Sequence, residues 1–215
     1  MGEYEHVDGS STFGDAPGAL GEIAQIPESI TEISQAASNT VSIGKVETLN
    51  GIATATRADG SQVTLKIGDS VYQGDTVETS GDGTLGLVFV DTTTFAMTQS
   101  AKMVLDEMVF DAGTNEGTMS FTVAKGVFSF VSGQIAKSQP DAMSLKTPVA
   151  AIGIRGTDGA INLPDGTNLT VVIKPDVGGG IGEITVTNAA GVVVLNQPFQ
   201  GSSIAGINVV PGQPF

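Results

Sequence analysis

The chain has 215 residues, no cysteine, no tryptophan and one histidine, with 9 Lys plus Arg against 23 Asp plus Glu and a net charge of -14. These figures exclude disulfides, thiol chemistry and thiolate metal sites, and they disfavour a phosphate backbone as partner because the field of the whole chain repels it. At 21.8 kDa the chain is long enough to bury a core without staples.

Residues 1–20 are rich in Gly, Ser, Asp and Glu with little periodicity and read as a flexible arm. Over 21–38, Ile23, Ile26, Ile30 and Ile33 recur at helical spacing, and Pro27 with Glu28 suits a first turn, so a short amphipathic helix is expected there. No run approaches the length of a membrane-spanning helix, and no basic-then-apolar signal segment opens the chain. Export without a cleaved N-terminal signal, or after its removal, is the corresponding expectation.

From Val41 onward the apolar residues alternate: Val63, Leu65 and Ile67; Leu85, Leu87 and Phe89; Phe95 and Met97; Met103 and Leu105. Each run is short and ends at Gly, Asp or Asn, which predicts β-strands joined by tight turns in an antiparallel meander. Ala58-Asp59-Gly60 and Gly81-Asp82-Gly83 are turn candidates. Two Gly-Asp steps, Gly68-Asp69 and Gly74-Asp75, are expected to cap their own turns through the aspartate; a calcium role is the alternative, although neither an EF-hand loop nor a glycine-aspartate nonapeptide repeat is present.

Met119, Phe121 and Val123 alternate again, and Val127, Phe128, Phe130 and Val131 load both faces, which predicts a strand covered on each side. A polar connection follows over 136–141. Residues 147–159, TPVAAIGIRGTDG, set one guanidinium, Arg155, in an apolar and small-residue run, with a corner expected at Pro148. An arginine there needs a carboxylate or carbonyl partner to offset desolvation. Beyond it, residues 184–195 read as a hairpin turning at Asn188-Ala189-Ala190-Gly191, and 201–215 as an extended tail or linker.

Gly44-Lys45-Val46, the Ala58-Asp59-Gly60 turn, the run Ile67-Gly68-Asp69-Ser70-Val71-Tyr72-Gln73-Gly74-Asp75-Thr76-Val77-Glu78-Thr79, Leu87-Val88-Phe89-Val90-Asp91, and Thr147-Pro148 through Ile154-Arg155-Gly156-Thr157 together resemble the FecR-domain family over about residues 41–160. The resemblance implies a non-catalytic, all-β, envelope-exposed domain. Founding members are anti-sigma regulators that relay a signal across the inner membrane; this sequence shows neither their transmembrane helix nor their sigma-binding segment, and is more similar to FecR-type domains of very large secreted or surface proteins of Gram-negative bacteria. Residues 44–91 are also similar to the N-terminal retention modules of biofilm adhesins, some of which are released by proteolysis at a dialanine-glycine motif. Ala189-Ala190-Gly191 matches that motif, with a plain hairpin turn as the simpler explanation.

The expected architecture is therefore all-β, with many short, mainly antiparallel strands in a two-layer sandwich or roll, or in solenoid-like stacking, and a short N-terminal helix. The expected divisions are an arm over 1–40, a FecR-type domain over 41–160, added β-hairpins over 161–200 and the tail. His6 lies in the arm and no Gly-x-Ser-x-Gly elbow occurs, which argues against a hydrolase. No catalytic residue, metal, cofactor, nucleic acid or small-molecule substrate is expected; the partner is another protein or a second copy, at the cell surface, outside the cell or in the periplasm. Arg155, with Thr157 and Asp158, is expected to act as a clasp by forking onto Asp69, Asp75, Asp91 or Asp158, or else to meet a partner's acidic or carbonyl group.

Overall fold

The computed structural model describes residues 41–176 and 178–215; the arm and helix expected over 1–40 lie outside them. The described chain is almost entirely strand. Two sheet halves share one long strand, β9 (Glu116–Val131). Its C-terminal half pairs with β7 (Thr94–Met97) and β12 (Asp158–Leu163); its N-terminal half pairs with β8 (Lys102–Asp111) and β10 (Met143–Lys146).

The first half continues from β7 through β6 (Thr84–Phe89) and β1 (Ser42–Asn50) to β4 (Ser70–Tyr72), and from β12 through β13 (Leu169–Lys174) to β16 (Gly201–Ile204). The second runs from β8 through β5 (Thr76–Thr79) and β2 (Ala53–Thr56) to β3 (Gln62–Thr64), and from β10 through β11 (Ala151–Arg155) and β14 (Glu183–Asn188) to β15 (Gly191–Leu195). Among these pairings only β10 with β9 is parallel.

Successive strands do not form the expected meander, because the chain repeatedly changes sheet half at its corners. β1 and β4 belong to one half, and the β2–β3 hairpin between them belongs to the other. The halves face each other: the Phe121 ring of β9's N-terminal part lies 5.0 Å from Phe89 and 6.1 Å from Phe95 of the opposite half. Solenoid stacking is thereby replaced by two layers around one core, with Phe95, Phe121, Phe128, Phe130, Met103 and Leu105 fully buried.

Gly126 makes the shared strand possible. Its φ of +118° is a conformation that side chains rarely adopt, and a Cβ there would overlap Ala101. The strand therefore leaves one half and enters the other at the one residue that accommodates the close approach.

Several expectations are corrected. Val63 and Ile67 are exposed while Leu65 is buried, because the three-residue edge strand β3 ends before Leu65. Val127 and Val131 point outward and are partly exposed, so β9 is covered on one face only there. A single-turn helix, α1 (Ile135–Ser138), runs into the connection expected to be polar, with Ile135 and Ala136 buried. The division expected at 160 falls inside β12, and Ile161, Leu169 and Ile204 join the same core as Val46 and Leu87. The tail is also structured: β16 pairs with β13, and Phe215 exchanges backbone hydrogen bonds with Gly201.

Candidate functional site

The aspartates singled out by the sequence lie at corners, where each carboxylate accepts backbone donors. Asp69 Oδ2 accepts from the Lys66 amide at 2.8 Å, and Asp75 Oδ2 from the Tyr72 amide at 2.8 Å, so both close their own turns. Asp75 is 1% exposed and sits where β4 hands over to β5. Its cationic partner is Arg57, whose Nη1 donates to Asp75 Oδ2. The same guanidinium reaches the Ser70 carbonyl at 3.3 Å and lies 4.8 Å from the Tyr72 ring centroid.

Asp91, in the β6–β7 turn, is fully buried and has no cationic partner within ion-pair distance among the described residues. Its Oδ1 accepts from the Thr93 amide at 3.0 Å, and its Oδ2 from the Thr93 hydroxyl at 2.7 Å and the Ile135 amide at 3.3 Å. Through these bonds the carboxylate ties the β6–β7 turn to the start of α1. Thr93 Oγ1 in turn accepts from the Gly133 amide at 2.9 Å.

Arg155 is exposed at the end of β11 and makes no ion pair among the described residues, so the expected fork onto Asp69, Asp75, Asp91 or Asp158 is not formed. The register places it opposite Glu183 on β14, again without an ion pair. The physical reason lies in β alternation: Ile152 and Ile154 face the core, which turns Arg155 outward. Thr157 is buried and donates its hydroxyl to the Lys174 carbonyl at 2.9 Å, fastening the start of β12 to the end of β13. Asp158 is buried and accepts from the Ser132 amide at 3.4 Å. Burial pushes its carboxyl above the usual range, and the nearby Asp176 charge pushes the same way.

Of the expected clasp, then, Asp69 and Asp75 close their own turns on either side of β4, whereas Asp91 and Asp158 both hold the segment leading into α1, through the Ile135 and Ser132 amides. The arginine that meets a corner aspartate is Arg57, which directly precedes the Ala58-Asp59-Gly60 turn and pairs with Asp75 through Nη1 alone while both terminal nitrogens reach the Ser70 carbonyl. Nothing in the sequence marked Arg57 for this role, because it lies eighteen residues before Asp75. Ala189 and Ala190 form the loop of the β14–β15 hairpin, and Asn188 Oδ1 accepts from the amides of Ala190 at 2.9 Å and Gly191 at 3.1 Å. The dialanine-glycine sequence is thus wound into a tight turn.

Arg155 lines a polar surface cleft of about 430 Å³ together with Lys137 of α1 and Glu183. Among the described residues no group of three or more His, Cys, Asp or Glu gathers as a metal site would require, and no helix is long and apolar enough to cross a membrane.

Comparison with known proteins agrees with the family expected from the motifs. Residues 75–177 match the family model described as FecR protein. No curated protein matches the chain. Among solved structures, a cell surface anchoring domain is 32% identical over 29% of this chain and 82% of its own, with a TM-score of 0.28. Two crystal structures of a candidate anti-sigma factor from Parabacteroides distasonis ATCC 8503 are each 12% identical over 63% of this chain, with TM-scores of 0.48 and 0.47. The chain spans 57% of the length of each of those two. Residues 75–177 are thus the part of the chain that matches the FecR family.

Proposed function

We propose that this chain is a non-catalytic interaction module of an exported envelope or cell-surface protein, acting in anchoring, retention or assembly through protein contacts. The family match supports this reading, and one structural observation carries it: the open edge of β15. Among the described residues β15 pairs with β14 on one side only, and Val210 and Pro211 approach it at Gly191, its first residue. Its sequence, GVVVL, holds no charge and no proline, and Val192 and Val194 are 59% and 40% exposed. The other edges are blunted. β3 and β4 are three residues long, and Phe215 and Gly212 return onto β16. An uncharged valine edge is the surface to which an extended segment of another protein, or of a second copy, adds a strand.

Localisation tests the reading. With an epitope tag on the natural protein, added protease should digest the tag in intact cells or after permeabilising the outer membrane alone. Protection in both cases, with digestion only after complete lysis, would overturn it.

A signal-relay role within the envelope is the second reading, favoured by the family match itself. Deleting residues 41–215 from the natural protein would then change transcription from a sigma-dependent promoter. An unchanged transcript profile with altered surface retention would favour anchoring.

A further inference from the structure

We propose that the cleft between α1 and the end of β11 binds a carboxylate of an acidic peptide segment on a partner protein, with Arg155 and Lys137 as its cationic contacts. The inference rests on the protein-contact reading and names the partner's chemistry at a place distinct from the β15 edge.

The cleft, about 430 Å³, takes Lys137 from α1, Arg155 and Gly156 from the end of β11, and Ile181, Gly182 and Glu183 from the segment entering β14. Its floor is fixed by backbone. Gly182 packs so closely on the carbonyls of Arg155 and Gly156 that any Cβ there would overlap them. Arg155 thus projects from backbone braced on two sides.

The charge pattern is what calls for a ligand. The chain carries 23 acidic residues against 9 basic ones, so a surface cation has many opportunities for pairing. Arg57 and Lys102 use theirs, with Asp75 and Glu78. The other basic side chains form no ion pair among the described residues, and two of them, Lys137 and Arg155, line one cleft. With Glu183 as the one carboxylate in that lining the cleft keeps a net positive charge, and a guanidinium presents a planar fork matched to a carboxylate.

Glu183 selects among anions. It lies opposite Arg155 in the β11–β14 register and lines the same cleft. A free phosphate, or the backbone of a nucleic acid, brings concentrated negative charge to that carboxylate and to a chain of net charge -14. A peptide carboxylate brings one charge together with neighbouring backbone N–H groups, which Glu183 accepts. The partly exposed Ile181 gives an apolar rim for the stem of the acidic side chain.

The test uses the full chain, labelled with nitrogen-15, and two capped peptides: acetyl-Gly-Glu-Glu-Gly-amide and its Gln-Gln counterpart. Saturable shifts of the Gly156, Gly182 and Glu183 amides are expected with the glutamate peptide, at a Kd on the order of 1 mM, as suits one or two exposed charge contacts. Arg155→Lys is expected to weaken binding about five-fold and Lys137→Ala about three-fold, both with unchanged melting temperature. Inorganic phosphate is expected to bind more weakly than the peptide. Equal shifts with the glutamine peptide, tighter binding of phosphate, or undiminished affinity in Arg155→Lys would each overturn the proposal. A cytoplasmic location would overturn the exported-module reading alone and leave this titration as it stands.

Discussion

Arg57 and Asp75 form the buried ion pair that holds the β2–β3 hairpin to the corner between β4 and β5. Asp75 also accepts the Tyr72 amide, and Arg57 also reaches the Ser70 carbonyl and the Tyr72 ring. With one carboxylate oxygen holding both a backbone amide and a guanidinium, loss of either side chain opens the corner at which the chain changes sheet half.

Gly126→Ala should be among the most destabilising single substitutions in the chain. It combines a positive φ with overlap onto Ala101, and strain of this kind costs about 1–3 kcal/mol before the steric term is added. Denaturant unfolding should show a lowered midpoint. The double variant Gly126→Ala with Ala101→Gly should recover the steric part and leave the φ cost, so its midpoint should fall between the two.

Asp91→Asn tests whether the buried carboxylate acts as an all-acceptor hub. Three donors converge on it, from the Thr93 amide, the Thr93 hydroxyl and the Ile135 amide. An amide group would turn its own N–H toward one of them, which costs about 1–3 kcal/mol. Hydrogen exchange should accelerate first at Thr93, Gly133 and Ile135.

Asp158 gives a pH dependence of defined sign. Its carboxyl titrates above its ordinary 3.8, chiefly through burial, so the folded state holds the proton more tightly than the unfolded state. Its favourable contribution is full below 3.8 and is lost as pH rises through the folded-state value. Asp158→Asn keeps an oxygen for the Ser132 amide without the charge. The variant should be more stable than the parent at neutral pH, with the difference shrinking as pH falls through the raised folded-state value and levelling off below 3.8. A difference that grows on acidification would contradict the assignment.

The β15 edge is tested by Val192→Lys with Val194→Lys. Both side chains are substantially exposed, so monomer stability should change by less than about 0.5 kcal/mol. Any association or partner binding through that edge should be lost, because lysine on an edge opposes strand addition. Sedimentation of parent and variant across a concentration series reads the self-association arm directly.

Strand identity was legible wherever alternation was strict. Leu85, Leu87, Phe89 and Met119, Phe121, Val123 all face the core as their spacing predicts. Strand order was not legible, since alternation records which side of a strand is buried and says nothing of which neighbour it pairs with. The switching of sheet half at Gly126 is encoded by one glycine inside an apolar run, a signal shared with many bulges. The corner aspartates were readable from their Gly-Asp steps. The partner of Asp75 was not, because Arg57 lies eighteen residues away and meets it only once the hairpin folds over. Arg155 drew attention by its apolar neighbours, yet the same alternation that buries Ile152 and Ile154 sends it outward.

The division of labour between the two arginines is the centre of this account, and thermal melting of Arg57→Lys beside Arg155→Lys tests it most directly. Lysine keeps the charge and loses the two guanidinium nitrogens that reach the Ser70 carbonyl and the delocalised cation 4.8 Å from the Tyr72 centroid. Arg57→Lys should lower the melting temperature by several degrees, consistent with a loss of about 1–2 kcal/mol at a buried charged hydrogen bond. Arg155→Lys should melt with the parent. An unchanged Arg57→Lys together with a destabilised Arg155→Lys would contradict the account and return the clasp to Arg155.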